Sequence, residues 1–578
     1  MASAHYVRTR GRFLLVIALV AMVTTLSTST TLAKPTKPGF LTDQPSMLTP
    51  LAPGATVKPI LTVGDHVGKF MFEALPDGIS FEPNGKGTVD LFINHEASTV
   101  PFPYPPVPGA PLNDFTDSLL SQLKLQQSTG GVLKGKYVIG DGANFHRFCS
   151  NYLADESAGF KHSILFTNEE GTDWVNRSGM QWPATVGADE AREIGYVVAH
   201  DVNNGKTRPI YGMGRFNHEN SIALTQYGHP VLLSGDDTFL ADPAGSQAYM
   251  YTANSSGDVW KDKGQLWAFV SDNPAINDYY DFNNANAPQS VSGHWIPVPK
   301  AIATGKNPDG TDMMAADVPA AYGGPYNPPG PGEMTNAAGT STPVDGPQWV
   351  LEHWGDIQPG GGVFQFVRLE DMAFDRRPGM ANVVYLVDSG RGSASTSGHP
   401  YASTNGRIWK MVLDPTYPTI VTSLSIFVQG DDNPLKSPNE IHQPDNIEST
   451  QYALYVTEDP GSGQQFNPGD PNATTARVWQ VPVAAPATMT PAASIDQSAD
   501  EGPTDTPGSG LGKLGSWEAS GIIDVSSVFG PGTFLIDVQA HTLFIDQEPG
   551  PDVTGDNVSD WTYKREGGQL LLLTIPGA

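Results

Sequence analysis

The chain has 578 residues, with 62 Gly, 50 Pro and 16% charged residues, a composition that disfavours long helical bundles and suits short strands joined by turns. Its 33 basic and 61 acidic residues leave a formal charge of −28, which repels phosphate backbones and anionic lipid and so argues against nucleic acid or polybasic membrane docking. Most of the acids read as a solvated surface; the remainder are judged by position.

The N-terminus carries Arg8, Arg10 and Arg12, an apolar run from Phe13 to Val23, and Thr31-Leu32-Ala33 before Lys34-Pro35. This order predicts a secretory signal over 1–33, cleaved near Ala33, and export to the periplasm or exterior. No later segment reaches the ~20 apolar residues of a membrane span. The mature chain, 34–578, is expected to be a single domain without a transmembrane span, acting as a monomer. It holds one cysteine, Cys149, which cannot close an internal disulfide. Cys149 is therefore a buried small residue, a free thiol or a ligand.

Along the chain a strand-like run ending in acidic or polar residues recurs at Leu91 to Glu96, Ile164 to Glu170, Val231 to Asp237, Val383 to Ser389, Ala453 to Asp459 and Phe534 to His541. Each is followed by a second strand: Tyr196 to Val202, Leu266 to Val270, Ile408 to Val412, Val478 to Val481 and Leu570 to Thr574 for the later copies. Trp267, Trp409 and Trp479 share a place in three of them and read as packing between repeats. Ahead of each acidic strand end stands Asp77, Cys149, Glu219, Glu370, Asp445 or Glu518, at spacings of 72, 70, 151, 75 and 73. A repeat of about 70 residues explains all but one interval. The long interval holds an insertion at about 273–362, rich in Pro, Gly, Asn and Ala, expected to be a surface excursion that serves as a lid or as decoration. The fold expected is an all-β, six-bladed β-propeller in which these six residues form a ring at one end of the axis.

Oxygen donors in number suit Ca²⁺, while a thiolate prefers a softer transition metal, so the ring suggests a mixed cluster, catalytic or structural. Arg368 lies two residues before Glu370 and shares its strand face, where it either pairs with carboxylates or grips phosphate. Asp537, Gln539 and His541 alternate along one strand and read as a hydrogen-bonded trio or a second metal site.

The stretches Ile93 to Glu96, Asn144 to Asn151, Thr167 to Glu170, Gly214 to Glu219, Ser234 to Asp237, Arg368 to Glu370 and Pro444 to Asn446 follow an order that resembles the PhoX-type alkaline phosphatases. The resemblance implies a phosphomonoesterase with Fe³⁺ and Ca²⁺ in a six-bladed propeller, acting on a small phosphate ester. By it, Cys149, Glu96 and Glu219 are candidate iron ligands. Glu169 or Glu170, Glu370 and Asp445 would hold calcium or bridge metals, and Arg368 would grip the phosphoryl group. Asp77, Asp236, Glu518 and His541 are further candidates. The sequence departs from the family where Arg8 to Arg12 contain no twin arginine, where Glu169 and Glu170 stand near a usual second cysteine, and where Leu369 replaces a proline. Two other readings stay open: a phytase-like or lactonase-type propeller hydrolase, and a silent extracellular binding propeller with structural ions.

Overall fold

Short apolar runs bounded by Gly, Pro and polar residues fold as strands, and almost all regular structure in the chain is β. The computed structural model describes residues 38–578 except 97–101, 105–117, 141–142, 144, 172–173, 177–190, 239–242, 285, 329–333, 336–340, 343–344, 391–404, 432–438, 461–473, 499–514, 546–547, 550–560 and 564. The expected signal segment lies outside the described residues. Gly39–Ala578 form one compact unit. Among the described residues no helix is long and apolar enough to cross a membrane.

Among the described residues, four sheets of four or five strands and one of ten make a propeller-like arrangement, beside four minor sheets of two or three strands. The first small sheet runs Pro76–Pro83, Thr88–His95, Leu119–Gln126, Val132–Ile139, and the second runs Phe148–Ala154, Ile164–Glu169, Val197–Asp201, Thr207–Pro209. The third begins at Pro444–Ser449 and ends at Leu48–Pro50, and the fourth begins at Glu518–Asp524 and ends at Thr56–Thr62. N-terminal strands thus complete the two C-terminal sheets, with Thr56 opposite Thr574. Such pairing ties the chain's two ends into one closed body.

The ten-stranded sheet contains two of the expected repeats, one starting at His218–Ala223 and one at Leu369–Phe374. Their fusion comes from the insertion. Its strand Val291–Pro297 pairs with Gln265–Ser271 on one side and Ile420–Gln429 on the other. The insertion is therefore more than the surface excursion expected of its composition. Ile302, Ala303, Met313, Ala315, Val350, Leu351, Trp354 and Val363 are buried in a core shared with Phe166, Val197, Leu232 and Tyr249. Residues 329–332 of its Pro-Gly run lie outside the described residues.

The second strands Ile164–Glu169, Val231–Asp236, Val383–Asp388 and Ala453–Glu458 are buried along their whole length. Each is covered on both faces, so the sequence is nearly continuously apolar rather than alternating. Separate clusters fill the gaps between consecutive repeats. Tyr385 and Ile408 meet Leu454 and Trp479, Tyr455 meets Phe534, Leu535 meets Leu91 and Ile93, and Phe92 meets Phe148 and Leu165. Trp409 and Trp479 are buried packing residues, as expected. Trp267 is not their counterpart. The repeat starting at His218 has Ser246–Thr252 as its third strand, and Trp267 sits half-buried on the fourth.

Candidate active site and metal centre

The first strands of successive repeats lie side by side, and the last returns to the first. Each also breaks register with its second strand over two residues: Asp77-Gly78, Cys149-Ser150, Glu219-Asn220, Glu370-Asp371, Asp445-Asn446 and Ser520-Gly521. A β-bulge re-aims side chains locally. Here the second residue of every pair lines a cavity of about 480 Å³ that none of the first residues lines.

This phase corrects one member of the expected ring. The sixth position is Ser520, 75 residues after Asp445, and its hydroxyl donates to Asp77 Oδ1 at 2.5 Å. Glu518 stands two residues earlier, at the place that Arg368 holds in its own repeat. The error arose because an acid was expected at the sixth position, whereas the bulge fixes the register and the residue there is a serine.

The other five residues converge. Donor atoms of Asp77, Glu96 and Cys149 lie within 4.8 Å of one another, as do those of Cys149, Glu170 and Glu219, and those of Glu219, Glu370 and Asp445. Cys149 and Glu219 are each shared by two groups, so the three groups are contiguous. All seven residues are buried. The Cys149 thiol donates to Asp77 Oδ2 at 2.9 Å and approaches Glu219 Oε1 at 3.4 Å, and Ser150 donates to Glu219 Oε1 at 2.6 Å.

Burial, and then the neighbouring acids, push Glu96, Glu170, Glu219, Glu370, Asp445 and the Cys149 thiol well above their ordinary values. Carboxylates buried this close cannot all ionise without compensating charge. Divalent or trivalent cations supply that charge, and the donor set of many oxygens and one sulfur fits hard and softer cations together. The residues present therefore fit a metal cluster.

Consecutive acids at the second-strand ends divide by the alternation of a strand. The inner member lies at the ring: backbone N–H groups of Glu96, Glu170, Asp237, Ser389 and Asp459 donate to the carbonyls of Leu75, Arg147, Asn217, Arg368 and Gln443. The preceding member is structural. Glu169 accepts from the amides of His146 at 2.9 Å and Tyr196 at 3.0 Å. Asp388 accepts from the Val367 amide and the Trp409 indole, and Glu458 from the His442 amide and the Trp479 indole. Of the expected pair, Glu170 joins the cluster and Glu169 does not. Asp236 falls in the Glu169 phase, opposite His218, and takes the Thr238 hydroxyl at 3.0 Å.

Sequence reasoning passed over Asp237 and Asp459. Both follow another acid, and the second acid of such a pair is the one aimed at the axis. Asp237 receives Arg368 Nε at 2.9 Å and Nη2 at 3.0 Å. Arg368 also lies 3.1 Å from Glu370 and 3.8 Å from Asp459. Its backbone is left-handed, with φ 53°, and its amide is held by Ser246 Oγ at 2.7 Å. A non-glycine residue in that region is strained and persists only where its surroundings impose it, and Leu75 and Gln443 share this backbone at the same place in their repeats.

His541 lies 3.6 Å from Glu518 and 3.7 Å from Glu566. Burial alone would lower its imidazole, but the hydrogen bonds with the two glutamates outweigh it and hold it well above the ordinary histidine value. Asp537 is no part of a hydrogen-bonded trio with Gln539 and His541. It is fully buried, and among the described residues neither carboxyl oxygen has a hydrogen-bond partner.

The family model described as alkaline phosphatase PhoX matches residues 155–487, more than half of the chain. The chain belongs to the PhoX alkaline phosphatase family. No curated protein matches it. The matched segment carries Glu170, Glu219, Asp237, Arg368, Glu370, Asp445 and Asp459. Asp77, Glu96, Cys149 and Ser520 lie outside it and reach the same site through the closed ring of first strands. PhoX proteins are metalloenzymes, in keeping with the acidic groups described above.

Proposed function

We propose that this protein is an exported, metal-dependent phosphomonoesterase that releases inorganic phosphate from small organic phosphate esters. One observation carries the reading: three contiguous groups of buried donors, sharing Cys149 and Glu219, lie beside an arginine held by three carboxylates. Six equivalent register breaks support a propeller of six blades, with blades three and four joined through the insertion. The N-terminal basic and apolar segment supports export, and nothing in the chain's charge favours nucleic acid.

In this reading Cys149, Glu96 and Glu219 hold iron, while Glu170, Glu370 and Asp445 hold calcium, with Asp77 beside the thiol. Glu169 takes no part, because both its oxygens are used by backbone amides. Bound iron and calcium supply Lewis acidity that neutralises phosphoryl charge. Arg368 presents a planar fork to the phosphoryl oxygens, and Asp237 fixes its plane. Phosphoryl transfer asks chiefly for positioning and charge stabilisation, which a buried, rigid ring provides.

The test assays purified, metal-loaded protein on a simple phosphomonoester, a phytate and a lactone, alongside elemental analysis. Phosphomonoester turnover with iron and calcium present is expected. Activity on the lactone alone, or full activity on phosphomonoester after removal of both metals, would sink the reading.

A further inference from the structure

Arg368 has a positional twin. In the second repeat the residue two before the ring position is Arg147, and its backbone is also left-handed, with φ 31°. Its carbonyl accepts the Glu170 amide at 2.9 Å, as the Arg368 carbonyl accepts the Ser389 amide at 3.0 Å. The two arginines thus occupy one structural place in two repeats. The corresponding residues elsewhere are Leu75, Asn217, Gln443 and Glu518, none of them cationic.

The neighbours define what Arg147 can do. The Glu170 amide donates to the Arg147 carbonyl and the Asp237 amide to that of Asn217, and Asp237 is bonded to Arg368. Around the ring of first strands the order is therefore Arg147 and Glu170 in the second repeat, Asp237 in the third and Arg368 in the fourth, with an arginine on each side of the carboxylate pair. A phosphoryl dianion has three terminal oxygens, more than one fork satisfies, and a second planar donor facing the first completes the set.

We infer that Arg147 is a second phosphoryl-binding arginine, facing Arg368 across Glu170 and Asp237 and contacting the substrate's phosphate group. The inference rests on the phosphomonoesterase reading and adds a residue to it. Arg147→Gly is the informative variant, because glycine accepts φ 31° without strain, so the side chain is lost while the backbone keeps its shape. Arg147→Lys keeps the charge and removes the fork.

Inorganic phosphate is titrated by calorimetry into metal-loaded wild type and both variants, with metal content and melting temperature recorded and turnover of a simple phosphomonoester measured in parallel. Arg147→Gly is expected to weaken phosphate at least 10-fold and lower kcat/KM about 100-fold with metal content unchanged, and Arg147→Lys to fall between. Phosphate affinity within 2-fold of wild type in Arg147→Gly overturns the inference while leaving the phosphatase reading intact. The same follows if Arg147→Gly loses metal in proportion to activity, since Arg147 then serves the cluster alone. Wild type that binds phosphate without hydrolysing the ester overturns the phosphatase reading instead, and wild type that binds none overturns both.

Discussion

The Cys149 thiol lies 2.9 Å from a carboxylate oxygen of Asp77, a contact between the first strands of two neighbouring repeats. The single thiol of the chain therefore sits where two groups of oxygen donors meet. Cys149→Ser keeps a donor to Asp77 and removes the soft ligand. The expected result is loss of iron with calcium retained, a fall in turnover of at least about 100-fold, and little change in melting temperature. Elemental analysis beside a phosphomonoester assay decides it; unchanged iron content would rule out a ligand role for the thiol.

Glu169 and Glu170 test the division of labour within one dipeptide. Glu169→Gln exchanges one oxygen that accepts a backbone N–H for a carboxamide NH2 that faces it, an unsatisfied buried pair costing about 1–3 kcal/mol. Melting temperature should drop while metal content per folded molecule is kept. Glu170→Gln should do the reverse, losing metal and activity with stability maintained or raised, because it relieves a crowded acid. Equal effects of the two variants on metal content would refute the assignment.

Metal removal should make stability strongly dependent on pH. The cluster acids have folded values raised above those of the unfolded chain, so the metal-free fold binds more protons than the unfolded state. Stability is then greatest near the unfolded carboxylate values and declines as pH rises. Metal-free protein should melt lower at pH 8.5 than at pH 6, and restored metal should remove most of that difference. Thermal scans with and without chelator supply the measurement.

Much of this architecture was legible in the sequence because repeated geometry leaves repeated spacing. Cys149, Glu219, Glu370 and Asp445 stand one repeat apart or one repeat plus an insertion, and they meet. Ser520 was missed because a serine carries no acidic signal, and Glu518, two residues away, imitated one. Arg147, Asp237 and Asp459 were illegible for a related reason: spacing locates a strand end, but only the register of the strands decides which of two neighbours faces the axis. Val291–Pro297 escaped because its pairing partner Ile420–Gln429 lies more than 100 residues away in sequence, and local composition reports loops rather than distant pairing.

Arg368 should be intolerant even of lysine. A point charge on a flexible stem cannot reproduce the two bonds to Asp237, so Arg368→Lys is expected to lower kcat/KM about 100-fold. The lysine also cannot bond Asp237 and Glu370 at once as the guanidinium does, so the melting temperature should fall by several degrees. Retention of more than half the wild-type kcat/KM would show that the guanidinium only balances charge.

His200 provides a pH signature away from the cluster. It lies in Val197–Asp201, is 3% exposed, and contacts Thr207 Oγ1 through Nδ1 at 2.8 Å. Burial lowers its imidazole to about 4, against about 6.5 in an unfolded chain. Between these values the unfolded state holds the extra proton, so stability is fully present above pH 6.5 and is lost as pH falls towards 4. The loss amounts to about 3.5 kcal/mol at roughly 1.4 kcal/mol per unit. His200→Gln keeps a polar partner for Thr207 and cannot take up a proton, so denaturant titrations should show a flatter acid limb between pH 6.5 and 4. An acid limb as steep as wild type would mean that His200 is already protonated in the fold, or that its burial costs the cation nothing.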